Sequence, residues 1–455
     1  MTSGSILPYS CVYLDTGWTD MLRACTECLK YHRHRDKVIR NLRSMWTNSA
    51  NPNYVLPCLS VRTALDLFLQ VQKYPKGSEI IMSAINIPDM AYIIHHHGYK
   101  IVPLDVEIDS LRPKAELLQH LITDKTVAIL VAQLYGKWFD LDPIIDIAQQ
   151  RNLHVIEDCA EGFCGFENFG NPRSDLTLFS FGIIKYYTAY GGAIAKIRDK
   201  SLYDRMLQHY SSYPTQKQHE YLKKVLKYSV VYLLLDCPNI MRPGMYLTRT
   251  FNIDHKKIVI KMLRGFPDQM IKRIRHQPSS ALLQTMETRL KGFSKSDFNT
   301  AKIKGDYVRQ RLPSSVTLVG TQCEVDNYWL FPILVDMPDT VVKLLNAMGV
   351  DAYRGATQLN LIEPENGYKN ITMSPSYLKY YPHEARHLID HIVYLPVNKS
   401  VPFHALDQIS KSVEVAVKLS KNGDSPSIRL HSKLGKIMPS LFSSLCPFNI
   451  ECKKT

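Results

Sequence analysis

Residues 154–197 read HVIEDCAEGFCGFENFGNPRSDLTLFSFGIIKYYTAYGGAIAKI, and this stretch decides the fold. It holds three short apolar runs, and each predicts a buried strand because it is bounded by polar residues or glycine. The first run ends at Asp158, the second ends near Ser180 shortly before Lys185, and the third follows Gly191-Gly192. An acid, a hydroxyl and an amine are therefore expected where consecutive strands end.

The sequence upstream of this stretch alternates between strand and helix patterns. Strands are predicted at Glu79 to Ser83, Lys100 to Leu104 and Thr126 to Ala132, and helices at Ile85 to His97 and Asp140 to Gln150. Connections long enough to hold a helix predict parallel pairing, so the fold class is α/β, with a mostly parallel mixed sheet between helices. Ligands of such sheets gather at the carboxyl ends of the strands, where Gln133, Asp158 and Ser180 fall.

The amine, the acid and the hydroxyl suit an enzyme that uses pyridoxal 5'-phosphate (PLP). Lys185 can bond to the aldehyde of this cofactor. Asp158 can face the pyridine nitrogen and keep it protonated, so that the ring accepts electrons when the substrate loses a proton. Ser180 can donate a hydrogen bond to the phosphate, which also favours the N-terminus of a helix. Lys185 and Asp158 are therefore the predicted catalytic residues.

The chain resembles the DegT/DnrJ/EryC1/StrS sugar aminotransferases, which have the aspartate-aminotransferase fold (fold type I). The motifs that carry this resemblance are VIEDCAEGFCG at 155–165, SFGIIK at 180–185, YGG at 190–192, LYGKWFDLDPIIDIAQQ at 134–150, SVRTALDLFL at 60–69 and HIVYLPVN at 391–398. The resemblance implies PLP as the cofactor, glutamate as the amino donor and a keto sugar carried on a nucleotide as the acceptor. It also implies a homodimer with the active site at the interface.

A phosphate-binding turn is implied at Ser60, where related enzymes have Ser-Gly-Thr. Here Val61 replaces the glycine and Arg62 replaces the threonine. We expect Ser60 to cap a helix and Arg62 to supply a bidentate contact in place of the lost ones. The alternative for Arg62 is a solvated side chain at an ordinary helix start.

Three further positions follow from the resemblance. Ile87 occupies the place of an aromatic residue that stacks on the cofactor ring, and Glu161 occupies that of a glutamine or histidine beside the cofactor. Arg273 falls where the family's dimers have an asparagine that touches the neighbouring subunit's phosphate. The predicted cofactor-binding residues are thus Ser60, Val61, Arg62, Ile87, Gln133, Asp158, Glu161, Ser180, Lys185 and Arg273.

Length and composition predict a large and a small domain, since the chain has 455 residues and 45% hydrophobic content. The predicted units are an N-terminal helical segment at 1–50 that packs on the small domain, a large PLP-binding domain at 51–270, a small α+β domain at 271–421 and a basic tail at 422–455. Within the large domain, residues 200–270 form a segment that is longer than its counterpart in the family.

Most of the net charge of +14 lies in the long segment, because residues 200–275 hold 15 lysines and arginines against 5 acids. Such a segment can meet anionic lipid or the diphosphate of a nucleotide sugar. No nucleic-acid-binding signature accompanies it, so nucleic acid is not an expected partner. The apolar part of residues 221–241 is too short to span a bilayer, and it predicts either a subunit interface or a peripheral membrane contact.

The ten cysteines and the absence of a secretion signal predict a reducing compartment, the cytoplasm. Cys25 and Cys28 lie on one predicted helix without a second cysteine pair at zinc-finger spacing, so no metal site is expected. Two alternatives to an aminotransferase stay open within the same fold. One is a sugar dehydratase, which Lys185 disfavours because related dehydratases carry histidine there, and the other is a non-catalytic descendant. A membrane-associated scaffold is a third alternative.

Overall fold

The structure is a computed structural model that describes residues 7–30, 34–47, 54–237, 269–364 and 380–421, together with 243, 244 and 263. Its strands are β1 (Tyr54–Cys58), β2 (Glu79–Ser83), β3 (Ile85–Asn86), β4 (Lys100–Leu104), β5 (Thr126–Ala132), β6 (Lys137–Trp138), β7 (His154–Asp158), β8 (Leu176–Ser180), β9 (Ala193–Ile197), β10 (Thr317–Leu318), β11 (Val325–Asp326), β12 (Pro332–Leu334), β13 (Asn360–Leu361) and β14 (Ile392–Tyr394).

Helices surround these strands. They are α1 (Trp18–Leu29), α2 (Arg35–Met45), α3 (Val61–Gln72), α4 (Pro88–His96), α5 (Leu118–Leu121), α6 (Asp142–Gln150), α7 (Lys200–Ser211), α8 (Gln218–Asp236), α9 (Met270–Ile274), α10 (Ser280–Lys291), α11 (Lys295–Arg309), α12 (Pro338–Ala347), α13 (His383–His391) and α14 (Phe403–Lys421). A 3₁₀ turn at Ala115–Leu117 precedes α5.

A seven-stranded sheet organises the large part of the chain, in the order β1-β9-β8-β7-β5-β2-β4. Strands β4, β2, β5, β7 and β8 pair in parallel, whereas β9 runs antiparallel to both β8 and β1. The α/β fold with a mostly parallel mixed sheet is therefore confirmed. The carboxyl ends of β1, β8, β7 and β5 lie along one edge of the sheet, which is where a ligand is expected.

The predicted strands at Glu79 to Ser83, Lys100 to Leu104 and Thr126 to Ala132 have the observed bounds. The prediction of a helix from Ile85 was wrong, because Ile85–Asn86 forms β3 and pairs with Asn360–Leu361. Helix α4 begins only at Pro88, because a proline fits the first turn of a helix while its ring disfavours helical backbone in the residue before it.

A second, three-stranded antiparallel sheet, β10-β12-β14, lies in the C-terminal part of the chain. Its apolar residues share a core with α12 and α14, and Leu7 joins that core through a backbone hydrogen bond from its N–H to the carbonyl of Gly349. The prediction of a strand at Val350 to Tyr353 was wrong, because this segment makes a single bridge, Tyr353 to Tyr394.

Helices α1 and α2 pack on α10, and α1 also packs on α8, the long helix of the 200–270 segment. The ring of Trp18 meets that of Tyr232 edge to face, with 5.2 Å between the centroids. Among the helices that the structure describes, none has the length and apolar character that crossing a bilayer requires.

Candidate active site

A pocket opens at the carboxyl ends of the large-sheet strands. Nine of the ten predicted cofactor-binding residues line it: Ser60, Val61, Arg62, Ile87, Gln133, Asp158, Glu161, Ser180 and Lys185. The residues that follow β1, β5, β7 and β8 are far apart in the sequence, and the strand order of the sheet brings them together. Lys185 and Asp158, the amine and the acid on which the predicted chemistry depends, therefore belong to the same pocket.

Lys185 is held by Glu161. Its Nζ donates to Glu161 Oε1 at 3.0 Å and lies 5.3 Å from the ring centroid of Trp329. The other oxygen of Glu161 accepts the backbone N–H of Tyr135 at 2.9 Å. The carboxylate is thus fixed from both sides, and it positions the amine at the pocket wall before any ligand binds.

Asp158 ends β7, is buried, and accepts a hydrogen bond from the backbone N–H of Ala160 at 3.1 Å. Burial raises the pKa of Asp158 to about 6, although the Ala160 N–H and the charge of Lys185 act in the opposite direction. The charged carboxylate is therefore held in a place where its own environment does not stabilise it fully, as is common for groups that meet a charged ligand.

Ser60 caps α3, as predicted: its Oγ accepts the backbone N–H of Thr63 at 3.2 Å. Arg62 lies in the pocket lining, and its Nε donates to Asp89 Oδ2 at 2.6 Å while its Nη2 donates to Gln358 Oε1 at 3.4 Å. A ligand anion that binds Arg62 must therefore share the guanidinium with Asp89.

Gln133 is oriented by a buried acid next to Asp158. Its Nε2 donates to Glu157 Oε1 at 3.2 Å, and its Oε1 accepts the backbone N–H of Phe139 at 3.3 Å. Burial raises the pKa of Glu157, which hydrogen bonds from the backbone N–H of Asn171 and from Gln133 oppose. Gln133 is therefore held in place as part of the pocket wall.

Asn86 is a pocket residue that the sequence analysis did not select. Its Oδ1 accepts the backbone N–H of Ile87 at 2.7 Å. Within the described part of the chain, its buried Nδ2 has no hydrogen-bond acceptor. A buried donor without an acceptor is costly, so this amide is available for an acceptor on a ligand.

Gly192 lets the backbone pass close to α10. Its φ is +85°, and a Cβ added there would lie 2.2 Å from the sulfur of Met286. Its N–H donates to the carbonyl of Leu59 at 3.1 Å, which ties the loop after Lys185 to the start of α3. The YGG motif therefore fixes the positions of two pocket walls relative to each other.

We expect Gly192→Ala to lower the free energy of unfolding by about 2 to 4 kcal/mol, because it adds backbone strain to a steric clash. Gly77→Ala is the matched control, since Gly77 has a φ of +82° but no described atom within 4 Å of an added Cβ. It should cost only about 1 to 2 kcal/mol. Urea unfolding of both variants measures the difference, and equal losses would contradict the role of Met286.

The far wall of the pocket comes from residues that the sequence analysis did not place there. Lys224 and Tyr228 of α8 line it together with Gln358, Leu359 and Leu263. Lys224 and Tyr228 are four residues apart on one helix, so they share a face. The only signal in the sequence was this pairing of a lysine and a tyrosine within an otherwise apolar helix.

Arg273 lies on α9, is exposed, and is not part of the pocket lining of its own chain. Its charge is close enough to Lys224 to contribute to lowering the pKa of that lysine. The predicted contact was with the phosphate of a neighbouring subunit, and it stays a prediction.

Residues 37–231 match the sequence model of the DegT/DnrJ/EryC1/StrS aminotransferase family, so the resemblance drawn from the motifs is confirmed there. GDP-perosamine synthase of Escherichia coli O157:H7 is 28% identical over 208 residues, which cover 45% of this chain and 57% of that protein. UDP-4-amino-4-deoxy-L-arabinose–oxoglutarate aminotransferase of Shewanella sediminis (strain HAW-EB3) is 32% identical over 149 residues, which cover 32% of this chain and 38% of that protein. The chain thus spans about half the length of the curated relatives it matches.

Among solved structures, the aminotransferase TlmJ from Streptoalloteichus hindustanus has a TM-score of 0.63 to this chain at 14% identity. The similarity covers 90% of this chain and 99% of that chain. At this level of identity the similarity establishes the fold, and the predicted aspartate-aminotransferase-like fold is confirmed.

Proposed function

We propose that this chain is a PLP-dependent aminotransferase that moves an amino group from glutamate to a keto sugar carried on a nucleotide. The observation that carries the proposal is the meeting of Lys185 and Asp158 in one pocket at the strand ends. The names of the relatives support the substrate class, since they include a perosamine synthase and an aminotransferase that uses oxoglutarate, the keto acid of glutamate.

The residues of the pocket fit PLP. An amine, a carboxylate and the hydroxyls of Ser60 and Ser180 offer groups for the aldehyde, the ring nitrogen and the phosphate, and the amide of Asn86 offers a donor without an acceptor of its own in the described structure. When bound, PLP supplies a ring that accepts electrons and a carbon that carries the amino group between substrates.

Each catalytic residue has one task in this proposal. The Nζ of Lys185 holds the cofactor and removes the proton from the amino-bearing carbon of the donor. Glu161 positions that amine through the 3.0 Å hydrogen bond. The carboxylate of Asp158 holds a proton at the ring nitrogen, and Ser60, Ser180 and Arg62 bind the phosphate.

A non-catalytic binding protein of the same fold is the second candidate. It is favoured by two features of the pocket: the aliphatic Ile87 in the wall, and the guanidinium of Arg62 engaged by Asp89 at 2.6 Å. Both weaken contacts to a cofactor ring and its phosphate relative to an aromatic side chain and an unshared arginine.

The absorbance spectrum of the purified protein with PLP, followed by glutamate, separates these candidates. We expect a band from the covalently bound cofactor that bleaches when glutamate is added and returns with a keto sugar nucleotide. A band that glutamate leaves unchanged indicates another PLP reaction. A spectrum identical to free PLP supports the non-catalytic protein.

We also propose a homodimer in the cytoplasm. Leu226, Val230 and Leu234 form an exposed apolar stripe on α8, whose opposite face packs in the core and whose Lys224 lines the pocket. A second copy that covers this stripe would lie next to the active site. The eight described cysteines are free thiols, which fits a reducing compartment.

Val230→Glu should convert the dimer to a monomer in multi-angle light scattering, because a buried unpaired charge opposes association. Ile303→Glu is the control, since Ile303 is an exposed apolar residue on α11, a different helix. If the protein is a monomer throughout, flotation with anionic liposomes tests the membrane contact predicted for 221–241. A flotation that Val230→Glu abolishes would assign the stripe to lipid.

A further inference from the structure

The segment that exceeds the family's length supplies part of the pocket. Helix α8 presents Lys224 and Tyr228 to it, across from the walls built by the strand ends. Tyr228 is buried in the main core, so it fixes this face of the helix against the pocket. Lys224 is therefore a cation that the chain adds to its own site from outside the large sheet.

The charges around Lys224 are mostly positive. The groups that act on it are Lys227, Arg62 and Arg273, which oppose its protonation, and Glu220, which favours it. Together with burial, which is the largest effect, they lower the pKa of Lys224 to about 8. Bringing several cations to one wall is unfavourable unless an anion joins them, so the wall is suited to a negatively charged ligand group.

The other cations of the pocket lining are already paired. Arg62 meets Asp89 at 2.6 Å, and Lys185 meets Glu161 at 3.0 Å. Ser60 and the start of α3 lie in the same pocket, and a hydroxyl beside a helix start is typical of phosphate sites. A lysine contributes a compact point charge to such sites.

We propose that Lys224 binds a phosphate group of the ligand from the same chain that supplies Lys185 and Asp158. This inference rests on the proposed function. It assigns to α8 a contact that the resemblance sought in a neighbouring subunit through Arg273. The phosphate belongs either to the cofactor or to the nucleotide of the sugar substrate, and the two sources are distinguished by experiment.

The test measures dissociation constants with the full chain, by the quenching of tryptophan fluorescence. The ligands are PLP, pyridoxal without phosphate, and UDP and GDP. The variants are Lys224→Met, which keeps much of the side-chain length, and Lys224→Arg, which keeps the charge. Lys223→Met is the matched control, because Lys223 is the exposed neighbour on the same helix.

We expect Lys224→Met to weaken a phosphate-bearing ligand by about tenfold or more, while Lys224→Arg stays within about threefold of the wild type. Weaker PLP binding with unchanged pyridoxal binding assigns the contact to the cofactor phosphate. Weaker UDP or GDP binding with unchanged PLP binding assigns it to the substrate. Lys223→Met should leave all four constants unchanged.

Unchanged constants for PLP, UDP and GDP in Lys224→Met overturn the proposal. An equal loss for pyridoxal also overturns it, because it would mean that Lys224 supports the pocket without binding phosphate. A wild-type protein that binds neither PLP nor the nucleotides refutes the proposed function itself, and the role of Lys224 with it.

Discussion

Replacing Lys185 by alanine should lower the rate of amino transfer by at least about a thousandfold, because it removes both the covalent attachment of the cofactor and the base that moves the proton. The band of the bound cofactor should disappear with it. The rate is measured with glutamate and a keto sugar nucleotide in the wild type and the variant.

Borohydride reduction gives a second readout that does not depend on turnover. In the wild type, mass spectrometry of the digested protein should find the reduced cofactor on the peptide that contains Lys185. The variant should carry no label. A label on Lys224, whose pKa is lowered to about 8, would assign the reactive amine to α8 instead.

The same substitution has a structural cost that must be separated from its catalytic effect. Glu161 loses the hydrogen bond from Lys185 but keeps the one from the N–H of Tyr135. We expect a loss of stability of about 1 to 3 kcal/mol, which thermal unfolding measures. Lys343→Ala, which removes an exposed lysine on α12, controls for the loss of a positive charge and should keep full activity.

The sequence was sufficient for the large sheet because each strand is a short apolar run that ends at a polar residue. Asp158 and Ser180 close β7 and β8 as predicted, and Ser60 caps α3. Once the strands are parallel, their carboxyl ends meet at one edge, so local pattern and topology together place the site. The predicted roles of the individual residues and the domain boundaries stay predictions.

The missing parts of the site depend on contacts between distant segments. Arg62 is held by Asp89, which lies on the next helix, and no local pattern indicates that pair. Lys224 reaches the pocket only because α8 packs against α1 and α10. A lysine on an apolar helix reads equally well as a solvated side chain, so its position follows from tertiary packing alone.

Asp158→Asn should have opposite effects on catalysis and on the stability of the cofactor-free protein. The carboxylate opposes a proton on the ring nitrogen, and an amide cannot replace its charge. We expect transfer to slow by about a hundred- to a thousandfold, which is the usual effect of removing one preorganised electrostatic partner. Asp124→Asn, at an exposed aspartate, should leave the rate unchanged.

The stability effect follows from the pKa of Asp158, which burial raises from 3.8 to about 6 in the folded chain. Above that pH the group is ionised in both the folded and the unfolded state, and the folded state holds the charge at a cost. The wild type therefore gains stability as the pH falls from about 6 toward 4, where the folded state binds the extra proton. In the asparagine variant this dependence is absent.

We thus expect Asp158→Asn to stabilise the cofactor-free protein by up to about 3 kcal/mol at pH 7.5, and the difference should vanish near pH 4. Urea unfolding at both pH values measures it, with Asp124→Asn as the control. Saturating PLP should reverse the order, because the ligand stabilises the protein that binds it more tightly. A cofactor-free variant less stable than the wild type at pH 7.5 would mean that Asp158 is a structural acid, and that the pocket is not poised for a positively charged ring.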